Sequence, residues 1–172
     1  MNRLILINIV RFLLLVLIQE LLLDRIQVSI YVNPFLYILF ILVFPFEAPK
    51  WLLLVSAFLL GLTVDLFSNT LGLNTIACVF IAWCRPGVLA VIAPRQEYAP
   101  GMRLSIADLG FKWFISYAAI LIVIHHTILF FLEVFSFTDL TITLSKIVLS
   151  SIVTLFLCII SQYIMFSLRL EA

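Results

Sequence analysis

Residues 50–89 read KWLLLVSAFLLGLTVDLFSNTLGLNTIACVFIAWCRPGVL: two apolar runs joined by a short polar turn, with one acid, Asp65, set deep in the first run. Ala57, Gly61 and Asp65 recur at every fourth residue, which at about 100° per residue puts them on one narrow helix face. Small residues on such a face let a neighbouring helix approach closely, and in lipid that close approach, with buried polar contacts, is what joins helices. The stretch therefore reads as a helical hairpin. Asp65 lies near its turn, where Asn69, Thr70 and Asn74 are expected to give hydrogen bonds to the carboxylate and lessen its desolvation cost. The functional alternative is a proton or cation site, but local sequence fixes no second intramembrane acid beside it.

The rest of the chain has the same character. Its 172 residues are 65% hydrophobic and 11% charged, with a mean hydropathy of +1.29, against roughly 25% charged residues in soluble domains. This composition predicts a single polytopic membrane domain over 1–172, all α-helical. The net charge of +1 gives no basic field to attract nucleic acid. A crossing helix needs about 20 mainly apolar residues, and about six runs are expected: Leu4 to Leu23, Ile30 to Phe46, Trp51 to Phe67, Leu71 to Cys84, Phe111 to Leu132 and Leu140 to Ser167. Pro34, Pro45, Pro49 and Pro86 fall at the hydropathy minima and are read as helix ends. The fourth run is short and is expected to stop before an interfacial turn at Arg85-Pro86-Gly87. Residues 94–110 form the one extended polar connection, with a Ser105 to Asp108 capping pattern at its end.

Six spans with both termini cytoplasmic place Arg3, Lys50, Arg85, Arg95, Arg103, Lys112 and Arg169 inside and only Arg25 and Lys146 outside, as the positive-inside rule favours. The N-terminal run begins like a signal peptide, but Arg11 interrupts it and no small-residue cleavage site follows, so it reads as a retained first helix. In that span Asn8, Arg11 and Gln19 share about 80° of arc and should face protein, with Glu20 pointing elsewhere. Arg11 is expected to snorkel or to find a bundle partner.

In the fifth span His126 shares an arc with Lys112, Ser116, Thr127 and Glu133, while His125 lies about 100° away, so the pair cannot face one metal. The sixth run carries Ser150, Thr154, Cys158 and Ser161 on one face, suited to close packing with a helix inside the bundle or from a partner. Cys78, Cys84 and Cys158 are isolated in apolar surroundings and read as packing residues. No nucleophile triad, phosphate loop or metal motif is present, so neither an enzyme nor a cofactor is expected.

The stretch FPFEAPKWLLLVSAFLLGLTVDLFSNTLGLNTIACVFIAWCRPGVL, preceded by NPFLYILFILVFPF, resembles the MreD family of rod shape-determining membrane proteins. Pro34, Pro45, Gly61-Leu62 with Asp65, Gly72 and Arg85-Pro86 carry the likeness over residues 31–89; beyond residue 90 it rests on hydropathy and length. The resemblance implies a non-enzymatic scaffold of the cell-elongation (rod) machinery, the elongasome, in the bacterial cytoplasmic (inner) membrane. Such a scaffold would bind an MreC-type bitopic protein and, through it, work with MreB filaments, a RodA-type glycosyltransferase and a penicillin-binding transpeptidase in cell shape and peptidoglycan synthesis. It also implies a six-helix bundle similar to the S components of energy-coupling factor transporters. A small-molecule (vitamin-type) binding S component is therefore the rival function, with residues such as Asn74 lining an outward cavity. An ion channel built on Asp65, Arg11 and His126 is a third.

Overall fold

A computed structural model describes residues 2–25, 32–92, 102–134 and 140–170, with the side chains of 6–25, 32–92, 102–134 and 140–165. Its helices are α1 (Asn2–Ile18, continuing as a π-helical turn over Gln19–Leu23), α2 (Ile38–Leu42), α3 (Lys50–Ser68), α4 (Leu73–Val91), α5 (Ile106–Leu109), α6 (Phe111–Val134) and α7 (Leu140–Leu170). Five segments are long and apolar enough to cross a membrane: Leu6–Leu23, Lys50–Ser68, Leu73–Val91, Phe111–Val134 and Leu140–Met165. The protein is a multi-pass, all-α membrane protein. The 19 residues of α3 rise about 28 Å at 1.5 Å per residue, close to the hydrocarbon thickness of about 30 Å.

Packing runs in sequence: α3 lies against α4, α4 against α6 and α6 against α7, while α1 packs on α2 and α3 rather than on α7. Ser68, closing α3, reaches Glu20 and Asp24 beyond α1 (3.4 and 3.3 Å), so α1 and α3 end at the same side of the bundle. That side is called the Asp65 end, and the opposite side the Arg85 end.

The second apolar run departs from expectation. Of Ile30 to Phe46 only the five residues Ile38–Leu42 are α-helical, too few to cross as a helix, and residues 30–31 lie outside the described part of the chain. Pro34 supplies no N–H, and residues 33–35 around it carry no regular secondary structure before the turn at Leu36. Backbone donors exposed in this way must be satisfied within the protein, because lipid offers no partners. Side chains from α1 and α7 do this. Asn33 N–H donates to Ser150 Oγ (3.0 Å), Phe35 N–H to Thr154 Oγ1 (3.1 Å) and Leu36 N–H to Gln19 Oε1 (2.8 Å). Residues 36–42 are all at most 6% exposed. The run is thus the centre of the core, with the long helices arranged around it.

The fourth run also differs. It does not stop before Arg85; α4 continues unbroken to Val91 with Pro86 inside it. Proline at this position removes one main-chain bond, which neighbouring protein makes tolerable in a membrane helix. Arg85 is therefore not in an interfacial turn but on the buried side of a helix, 4% exposed. At the end of the polar connection α5 forms as one turn, with Ser105 Oγ accepting from Asp108 N–H (3.3 Å) and Asp108 Oδ2 accepting from Arg103 N–H (2.8 Å). Arg95 and Glu97 lie outside the described residues.

Candidate functional site

The turn between α3 and α4 explains the position of the acid. Asn69 adopts the left-handed conformation (φ 53°) that closes α3, and Gly72 (φ 84°) opens α4 without a side chain to cap it. The first amides of α4 consequently lack a local acceptor. Asp65, one turn back on α3, supplies it from the side. Its Oδ2 accepts from Thr75 N–H (2.9 Å) and Thr75 Oγ1 (2.6 Å). Its Oδ1 accepts from Asn74 N–H (3.1 Å), Asn74 Nδ2 (3.0 Å) and the Thr70 hydroxyl. A negative charge at a helix N-terminus also complements the macrodipole. Five donors on one carboxylate use the acceptor capacity of both oxygens. Gly61 lets α3 and α4 approach this closely, since an added Cβ there would lie 2.4 Å from Thr75 Cα and 2.8 Å from Asn74 O. Ala57, one further turn down, is completely buried on the same face.

From this clamp a chain of hydrogen bonds enters the core, and its direction is set by the acid. Because Asn74 Nδ2 donates to Asp65, the amide oxygen is left to accept, and it takes the Tyr37 hydroxyl proton at 2.7 Å. The phenol oxygen then faces His125 Nε2 at 3.1 Å as an acceptor, which assigns the Nε2–H tautomer to His125. His125 Nδ1 is left buried without a hydrogen-bond partner. His126 carries the opposite tautomer: its Nδ1 lies 2.8 Å from the Ile122 carbonyl, which can only accept, so Nε2 accepts from Thr154 Oγ1 at 3.3 Å. Both rings pack on Phe35, at centroid distances of 5.9 and 5.4 Å. Thus α6 buries His125 and His126 together, whereas the polar arc expected for His126 divides, with Lys112 and Thr127 outside the core.

The Arg85 end is built on the opposite charge. Arg85 Nε donates to the Tyr117 hydroxyl (2.8 Å) and Nη2 to the Phe44 carbonyl, and Tyr117 in turn donates to the Leu42 carbonyl (2.9 Å). These partners are neutral oxygens belonging to α6 and to the chain just after α2, so Arg85 closes the lower end of the central segment as Gln19, Ser150 and Thr154 close its upper end. Gln19 makes two such contacts, accepting from Leu36 N–H and donating to the Pro34 carbonyl (3.0 Å), and the π turn is where its completely buried side chain leaves α1. Pro86 itself borders a cavity with Phe46, Lys50, Leu53 and Leu89.

No family model matches this chain, and no curated protein or solved structure matches it. The site rests on its own geometry.

That geometry joins Asp65 and Asn74 directly but gives Asn69 a conformational part, with Thr75 in the place expected of it. It joins His126 with Thr154 and, through Phe35 and Asn33, with Ser150. Arg11 is not among them: it lies toward the Arg85 end, with Nη1 on Asn8 Oδ1 (3.4 Å). Among the described residues no three His, Cys, Asp or Glu side chains are grouped to hold a metal ion. Gln19, expected to face protein, does so through its two contacts with the central segment, and Tyr37, Thr75 and Tyr117 carry as much of the arrangement as the expected residues. A cue existed for Thr75, since a glycine at the start of α4 leaves amides that need an acceptor elsewhere. For the two tyrosines no short-range cue exists, because their partners are 37 and 32 positions away.

Proposed function

We propose that this chain is a non-enzymatic membrane scaffold of the MreD type. It would pass the inner membrane six times with both termini cytoplasmic and hold an MreC-type bitopic partner of the cell-elongation complex. The observation that supports this best is the commitment of the deepest acid to structure: both oxygens of Asp65 are occupied by α4 and its turn, leaving no lone pair for a transported ion. Asn74, which a vitamin-type S component would need toward a cavity, is 4% exposed and uses both side-chain atoms within the network. The sixth pass is the central segment, whose ends approach Gln19 at one side and Arg85 at the other. The proposed orientation is supported by Lys50, Arg103 and Lys112 at the Arg85 end against Arg25 and Lys146 at the other.

The face of Ala57, Gly61 and Asp65 is occupied by α4, so a partner helix would meet outward apolar side chains instead. Such side chains are Leu13 of α1 (55% exposed), Leu59 of α3 (50%) and Phe156 of α7 (60%). Photocrosslinking amino acids at these three positions, with the MreC-type protein co-expressed, test the proposal. A crosslink confined to one helix is expected; loss of all crosslinks together with failure of the partner to co-purify would end it.

A further inference from the structure

At the Arg85 end, a cavity of about 310 Å³ opens between the first half of α1, the turn after α2, the chain leading into α5, and α7. Its wall has two chemistries. Ile7, Val43, Met102, Leu104 and Met165 are apolar, while Arg11, Arg103, Asn8, Gln162, Ser105 and Glu47 bring polar atoms. The two guanidiniums against one carboxylate leave a positive balance. Gln162 is 5% exposed and lines the same cavity. Its amide can reach a polar group placed in the cavity beside the two guanidiniums.

The setting identifies what kind. Arg11 lies 13 residues before Asp24, or about 20 Å along the helix at 1.5 Å per residue, so the floor of the cavity is within the hydrocarbon depth. Arg103, Glu47 and Ser105 are on the loops that leave the bundle there. α1 packs mainly on α2 and α3, and the cavity lies between it and α7. A soluble anion would have to leave water for that floor, whereas a lipid already has its phosphate at the surface and its chains beside the apolar wall.

We propose that this cavity binds one membrane phospholipid through its phosphodiester, held by Arg11 and Arg103 with the Gln162 amide donating to a phosphate or ester oxygen. Guanidinium forks suit phosphate oxygens.

Native mass spectrometry of the full chain, released from micelles carrying phosphatidylglycerol, phosphatidylethanolamine or phosphatidylcholine, tests this. One retained lipid per chain is expected. Arg103→Gln, an exposed position that leaves the core intact, and Gln162→Leu should each lower retention, and Arg11→Gln with Arg103→Gln should lower it by about tenfold or more. Lys146→Gln at the opposite end should leave it unchanged. Equal loss with Lys146→Gln, or full retention in the double variant, would overturn the site. Displacement of the lipid by millimolar inorganic phosphate would overturn its lipid origin and assign the cavity to a soluble phosphate instead.

Discussion

The two ends of this bundle bury opposite charges in different ways. At the Asp65 end an acid is met by five donors, all within the α3–α4 hairpin or its turn. At the Arg85 end a guanidinium is met by neutral oxygens from two other parts of the chain, and cavities adjoin it. A local, saturated charge makes a rigid joint, because every donor that holds it is already fixed by the same helix start. A charge held by distant neutral oxygens ties separate elements together and leaves space beside them. The Asp65 end therefore reads as the fixed part of the molecule and the Arg85 end as the part with room for an occupant.

The largest effect expected from breaking this contrast is at the hairpin. Gly61→Leu drives a side chain into the α4 backbone, where Thr75 Cα would be 2.4 Å from Cβ alone, and should destabilise the fold by about 3 kcal/mol or more in reversible unfolding from mixed micelles. Partner capture should fall with the folded fraction rather than ahead of it. At the other end Tyr117→Phe removes the acceptor of Arg85 Nε and the donor to Leu42. A loss of about 2 kcal/mol is expected, as for hydrogen bonds to charged groups, and it should exceed that of any single neutral deletion at the Asp65 end. Tyr37→Phe is such a deletion. It should take away about 1 kcal/mol and free His125 from its Nε2–H tautomer, which imidazole nitrogen shifts in labelled protein would report; an unchanged His125 signal would break the chain drawn from Asp65.

The sequence made the membrane class, the hairpin and its small-residue face legible, because hydropathy and four-residue spacing are local signals. Asp65 beside Asn74 was legible for the same reason. The central segment was not. Ile30 to Phe46 has the composition of a spanning helix, yet burial by its neighbours and side-chain acceptors on α1 and α7, up to 119 positions distant, allow non-helical backbone over 33–35. Pro86 misled in the opposite direction, since a proline that would end a helix in water is carried inside α4. His125 and His126 are about 100° apart on α6, and the polar arc of Lys112 and Thr127 does not mark the core side, because the bundle takes α6 by a face wide enough to bury both histidines.

Asp65 acts as the missing N-cap of α4. A double-mutant cycle measures it most directly, with Asp65→Asn, Thr75→Val and the two combined, each unfolded reversibly in mixed micelles. Asn at 65 presents donors to donors, and its loss should already contain most of the Thr75 contribution. The cycle should therefore give a coupling of about 1–2 kcal/mol between the positions. Additive losses, with Asp65→Asn as stable as the unaltered protein, would contradict the clamp and return the acid to chemistry.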